Sequence, residues 1–320
     1  MSIERRGKWV FGTGLRARDP ARVFERMRAE LSAAGSSMSR VARLDQYYPD
    51  VRCVEAYHAA RKNAFDVGQI APSTSVVVSG LGDADATVDV QVIAATEDSG
   101  YMPSAVQSGL NRPDASGYTP CLRVGDLIFV AGQLARDASG KLAARGTSEE
   151  TDYIVRRRIA PALDAAQSGL DRVLKAQVYL SRPKDLPVFW KTWGELFQKR
   201  VPPTTAVALR HPAFLTSEAT VEINVVAAHR SAATRIREIK SDTAARAFDG
   251  LLFVGGLTGE DVLEQASQVF AAAGTDLSNV VRALYFHPKS LEPKDPGFPY
   301  SAIQVESDPI VDLWGYTPAP

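Results

Sequence analysis

Leu127-Ile-Phe-Val-Ala-Gly-Gln133 decides the fold, because the chain writes it twice more, as Trp9-Val-Phe-Gly-Thr-Gly-Leu15 and as Leu251-Leu-Phe-Val-Gly-Gly-Leu257. Each is an apolar run of strand length that reaches a glycine at the same step: Gly132, Gly14 and Gly256. A glycine at a strand end permits a bend, or the close approach of another group, that a β-carbon would block. One such run describes any buried strand. Three in one chain point to an internal repeat, which has to be found before any other feature is read.

Working outward, a second block follows each run. Ala33-Ala-Gly-Ser-Ser-Met-Ser-Arg-Val41, Ala165-Ala-Gln-Ser-Gly-Leu-Asp-Arg-Val173 and Ala272-Ala-Gly-Thr-Asp-Leu-Ser-Asn-Val280 match position by position. Each reads as a helix end, a turn and a new strand. Gly35 and Gly274 stand where a helix stop prefers glycine, and Gln167 departs from that pattern. The strands that follow are Val41 to Tyr48, Val173 to Leu180 and Val280 to His287, with Arg43, Lys175 and Arg282 in register. A third block, an amphipathic helix, is predicted at Val54 to Phe65 and at Leu186 to Phe197. In the third copy prolines in His287-Pro-Lys and Leu291-Glu-Pro-Lys-Asp-Pro replace it, so that copy is read as truncated.

Later strands are predicted at Ser75 to Val78 and Val88 to Ala94, and at Thr205 to Leu209 and Thr220 to Ala227. The fold class is therefore α/β (α+β): three tandem modules of mixed β-sheet, each with helices packed on one face. Their spans are residues 1–98, 115–228 and 240–320. Boundaries fall at Thr96 to Ser116, rich in Ser, Gly and Pro, and at His229 to Asp242, polar and open to being a short helix.

Composition removes several function classes. Lys plus Arg and Asp plus Glu both number 37, so no bulk field draws the chain to nucleic acid or to an anionic membrane. Apolar runs stay at strand length, and Met1 to Lys8 is charged, which predicts neither a bilayer span nor a signal peptide. Two cysteines, Cys53 and Cys121, fit a reducing cytoplasm and exclude a disulfide scaffold; both read as small buried apolar residues. His58, His211, His229 and His287 have no metal-ligand spacing, so no metal and no cofactor is expected. Gly12-Thr-Gly14 lacks the continuation a phosphate loop needs.

Gly117-Tyr118, Arg123-Val-Gly-Asp-Leu-Ile-Phe-Val-Ala-Gly-Gln133, Pro202-Pro-Thr-Thr-Ala-Val207 and Val221-Glu-Ile-Asn-Val-Val-Ala227 stand in the order of the signature segments of the Rid family. The central copy thus resembles the YjgF-type reactive-intermediate deaminases, with weaker versions on either side. The resemblance implies the chorismate-mutase-like fold of that family, whose chains form homotrimers with ligand clefts between subunits. A chain with three copies would be a pseudo-trimer in itself, with pairing between chains as the alternative. Chorismatases resemble this fold fused internally and set a precedent for other chemistry.

The resemblance further implies a cofactor-independent hydrolase acting on a small enamine or imine, of the aminoacrylate or aminomuconate kind. Glu222 takes the place of the family's glutamate, and Thr204 that of its carboxylate-binding arginine. Thr74 and Asp89 are their counterparts in copy one, Ser301 and Asp312 in copy three. A hydroxyl does not replace a bidentate guanidinium at equal strength, so either another cation reaches the cleft, or the ligand is not a simple 2-imino acid, or the protein is not a deaminase. The candidate cations are Arg136 and Arg156-Arg-Arg158, which otherwise reads as a solvated helix turn. Tyr118 is the expected ligand-stacking tyrosine or else a turn residue at a seam. Glu222 and Asn224 share one strand face, which is either a cleft or a solvated surface. The rival functions are a tautomerase or lyase on an unsaturated acid, and a non-catalytic metabolite-binding scaffold. The expected partner is a small-molecule substrate, with self-association open.

Overall fold

Three sheets are present in the computed structural model, which describes residues 2–65, 69–110, 117–291, 293 and 295–317. The first holds β1 (Ser2–Arg6), β2 (Trp9–Ala17), β3 (Val41–Tyr48) and β4 (Ser73–Val77). The short β5 (Gly80–Leu81) leaves it to join the third sheet, and β6 (Val88–Ala95) returns to it. The second holds β7 (Ser104–Ala105), β8 (Cys121–Val124), β9 (Leu127–Gln133), β10 (Val173–Leu180), β11 (Thr204–Ala208) and β12 (Val221–Ala228). The third holds β13 (Arg237–Ile239), β14 (Ala245–Phe248), β15 (Leu251–Val254), β16 (Leu257–Thr258), β17 (Val280–His287), β18 (Ser301–Gln304) and β19 (Ile310–Tyr316).

The same four-strand order recurs: β2-β6-β3-β4, β9-β12-β10-β11 and β15-β19-β17-β18. In each, the last pair is parallel and the others are antiparallel. The strands after the helix stops begin and end where the sequence pattern sets them, and the remaining ones shift by one or two residues.

Helices α1 (Pro20–Ala33) and α2 (Cys53–Ala64) cover one face of the first sheet. On the second lie α3 (Thr147–Tyr153), a π-turn at Ile154–Ile159, α4 (Ala160–Ala165) and α5 (Leu186–Phe197). On the third lies α6 (Val262–Ala273). Helix α1 starts where the Asp19 carboxylate accepts from the Ala21 N–H and Pro20 supplies a fixed φ. Gln167 adopts φ +58° after α4, the same left-handed stop that Gly35 makes after α1. No helix lies between β17 and β18 among the described residues; Glu292 and Lys294 are outside them. His229 to Asp242 forms a 3-10 turn (Arg230–Arg235) and then β13, while Asn111 to Ser116 lies outside the described residues. Cys121 is buried as expected; Cys53, the first residue of α2, is only half-buried.

The faces turned away from the helices meet one another. Trp9, Leu127 and Leu251 lie in one apolar cluster together with Phe11, Phe129 and Phe253. Each fully buried aromatic there contributes about 1.5–3 kcal/mol. At the other end of the same strands, Tyr47, Tyr179 and Phe286 form a triangle with centroids 6.2, 6.3 and 5.9 Å apart. Between these two apolar layers lie the three aligned basic residues. Arg43 pairs with Asp45 at 2.8 Å, Arg282 with Asp45 at 2.9 Å and with Asp312 at 2.7 Å, and Lys175 with Asp312 at 2.6 Å. Burial alone would raise the Asp312 pKa, but Lys175 and Arg282 hold it down at about 2. Removing one member would strand a buried charge, which costs about 3–5 kcal/mol.

Candidate active site between the first and second sheets

Alternation along β12 sends Val221, Ile223 and Val225 to the helix-side core and Glu222 and Asn224 to the junction. That face is buried, with Glu222 at 6% exposure. A β-carbon at Gly132 would fall 1.8 Å from Glu222 Oε1, so the glycine at the end of β9 gives the carboxyl its room. The Ser75 N–H, from β4 of the first sheet, donates to it. Burial pushes the Glu222 pKa up to about 8; Arg136 opposes the rise and Asp45 adds to it. At neutral pH the group is mostly protonated, and its pKa lies where one carboxyl can both give and take a proton.

Tyr118 enters from the strand-like bridge it makes with Ile70. Burial, then the Glu222 charge, raises its pKa to about 12, so its hydroxyl stays neutral. Arg136, Arg61 and Arg158 act on Tyr118 in the opposite sense, which puts three guanidinium groups around the tyrosine. Arg136 donates from Nη2 to Thr216 Oγ1, and its buried Nε has no hydrogen-bond partner among the described residues. Arg158 donates from Nε and Nη2 to Gln133 Oε1 at 3.2 and 3.1 Å and from Nη1 to the Arg136 carbonyl at 3.0 Å. The π-turn positions it: Arg156 and Arg157 stay exposed while Arg158 turns inward. Such wide turns are frequent at functional sites.

Glu222, Tyr118 and Arg136 are thus brought together, and Thr74 lies at the same seam, accepting from Asn224 Nδ2 at 2.9 Å. Thr204 and Asp89 are elsewhere. Thr204 lies between the second and third sheets, where it accepts from Trp193 Nε1 at 3.1 Å and donates to the Pro202 carbonyl at 2.7 Å. Asp89 lies between the third and first sheets, paired with Arg16 at 2.5 Å and accepting from Gln91 at 2.9 Å and Ser301 at 3.2 Å.

Strand register corrects two correspondences drawn from the sequence. Leu44 pairs with Ser73 as Ala176 pairs with Thr204, so the counterpart of Thr204 is Ser73 and that of Thr74 is Thr205. The one-residue shift sets Thr74 and Thr204 on opposite faces. Likewise Tyr179 pairs with Glu222, Tyr47 with Asp89 and Phe286 with Ile310. Ile310, and not Asp312, therefore holds the place of Glu222 in the third sheet; Asp312 corresponds to Asn224.

Arg61 escaped the sequence reading. It is fully buried, donates from Nη1 to Ser73 Oγ at 3.0 Å and lies over the Tyr57 ring. The signal was available, because an arginine stands on the apolar stripe of α2 where Trp193 stands in α5. Half-buried His58, beside it, has its pKa lowered to about 4 by burial, then by Arg61 and Lys62. Among the described residues no three His, Cys, Asp or Glu side chains are grouped to hold a metal. No helix among them is long and apolar enough to cross a membrane.

Residues 109–229 match the family model described as Endoribonuclease L-PSP. Protein HMF1 of Saccharomyces cerevisiae is 27% identical over 116 residues, which are 36% of this chain and 87% of that protein. A RutC family protein of Saccharolobus solfataricus is 29% identical over 111 residues, 34% of this chain and 85% of the relative. A chorismatase crystal structure shares the fold over 71% of this chain and 76% of its own, with a TM-score of 0.54 and 14% identity. Through its second sheet, with Glu222 and Tyr118 inside the matched span, the chain is thus similar to the Endoribonuclease L-PSP family, the Rid or YjgF-type family.

Proposed function

We propose that the chain is a single-chain pseudo-trimer of three tandem Rid-like modules. Its seam between the first two modules hydrolyses a small carboxylate-bearing enamine or imine to a carbonyl compound and ammonia, without a cofactor, in the cytoplasm. The observation that carries this reading is a buried carboxyl, Glu222, with a pKa near 8 beneath Arg136 and Tyr118. The recurring strand order and the three-sided packing of Trp9, Leu127 and Leu251 support the pseudo-trimer.

Neutral Glu222 gives its proton to the terminal carbon of C=C–NH2, forming the iminium. The resulting carboxylate takes a proton from the water that attacks the C=N carbon. Returned to nitrogen, that proton lets ammonia leave as the carbonyl forms, and the hydroxyl proton restores Glu222. Arg136, with its unpartnered Nε, holds the substrate carboxylate in place of the arginine that Thr204 lacks, and Arg158 steadies Arg136 from behind. Tyr118 packs on the conjugated system.

The test is ammonia release from 2-aminoacrylate generated in situ. Turnover lost in Glu222→Gln, with the fold intact, is the expected result; an unchanged rate removes Glu222 from the mechanism. A binding-only function is favoured by one observation, the Ile310 side chain at the third sheet's equivalent of Glu222. It predicts thermal stabilisation by a metabolite with no turnover.

A further inference from the structure

The seam between the second and third sheets holds a cavity of about 1110 Å3 with a chemistry opposite to that of the Glu222 site. Its wall is apolar and aromatic, including Trp190, Leu291, Phe298, Tyr300 and Ile310. Trp190 and Leu263 expose 43% and 39% of their surface at it, and together with the aromatic wall they give the cavity a contiguous apolar lining of the kind that takes small ligands. Ser307 also lines it; the residue is 5% exposed, and its Oγ has no hydrogen-bond partner among the described residues. A buried hydroxyl left unpaired is destabilising by roughly 1–3 kcal/mol, and a ligand group that bonds to it removes that penalty.

Charge selects the ligand class. Glu260, Asp261 and Glu264 approach from the start of α6, and Asp308 comes from the separate loop before β19. None of the four forms an ion pair among the described residues, and no Lys or Arg there lines the cavity. Acids at a helix start are favourable in themselves, but Asp308 is not on that helix and lies next to the unpartnered Ser307. With Ile310 standing where Glu222 stands in the second sheet, no carboxyl is placed at that point to move a proton.

We infer that this seam is a second, non-hydrolytic binding site for a small aromatic or aliphatic amine. Its apolar body lies against Trp190, Tyr300 and Ile310, and its ammonium donates to Ser307 Oγ and faces Asp308. The inference is independent of enamine hydrolysis at Glu222.

Calorimetric titration of the full chain with 2-phenylethylammonium, 3-phenylpropionate and 2-phenylethanol tests it. The ammonium is expected to bind at least tenfold more tightly than the carboxylate, with the alcohol between them. Trp190→Ala should weaken the ammonium at least fivefold, and Thr258→Arg, at an exposed position on the cavity wall, should reverse the preference. Both changes are at exposed positions, so folding is not at stake. Glu222→Gln should leave all three affinities unchanged, so the two sites stand or fall separately. Equal affinities, a preference for the carboxylate in the native protein, or no binding of any probe would each overturn the assignment.

Discussion

Replacing Glu222 by glutamine removes a charge that the fold resists. In the folded protein its pKa is about 8, against 4.5 when unperturbed, and the side chain is 6% exposed, so solvent screens little of the effect. Between those two values the unfolded chain has released the proton and the folded one retains it. Native stability therefore falls as pH rises through this window, by about 1.4 kcal/mol per pH unit. Between pH 4.5 and pH 8 that amounts to about 5 kcal/mol, complete once pH passes the folded value. Glutamine has nearly the same shape and no proton to lose. Guanidinium denaturation of both proteins at pH 4, 6, 8 and 9.5 measures the difference directly. The glutamine variant should match the native protein at pH 4, gain on it steadily from pH 5 to 8, and hold a constant lead above that. A difference that stays flat across the range, or a native protein that gains on the variant as pH rises, would refute the claim that burial dominates the environment of this carboxyl.

Arg136→Met should lower kcat/KM by about 10- to 100-fold, chiefly through KM, since one charge-assisted contact to the substrate carboxylate is lost. Because Arg136 lowers the Glu222 pKa, the same change should also move the pH-rate profile upward, measured as initial rates of ammonia release from pH 6 to 9.5. Phe129→Ala, in the apolar cluster shared by the three sheets, should destabilise the fold by about 3–5 kcal/mol in chemical denaturation. If the three modules close on themselves, light scattering of the native chain should give the mass of one chain, and an assembly built by exchange of modules between chains would give a multiple of it.

The elements were legible because they are written locally. An apolar run ending at Gly132, the helix stop at Gly35 or Gln167, and the alternation around Glu222 each follow from the geometry of a few neighbouring residues, and that geometry repeats when the residues repeat. The identity of Leu127, Trp9 and Leu251 as equivalent strand starts was therefore available, and so was the direction in which Glu222 points. The tertiary structure alone decided what lies opposite. Glu222 meets Ser75 from β4 across a seam and the guanidinium of Arg136 from its own module, and Arg158, on the π-turn, reaches Gln133. Sequence alternation points to Asp312 as the counterpart of Glu222 where the register gives Ile310, since a two-residue offset keeps a side chain on the same face and leaves the alternation pattern unchanged. Only the pairing with Phe286 distinguishes the two. Periodicity fixes which way a side chain faces, and long-range pairing fixes which residue it faces.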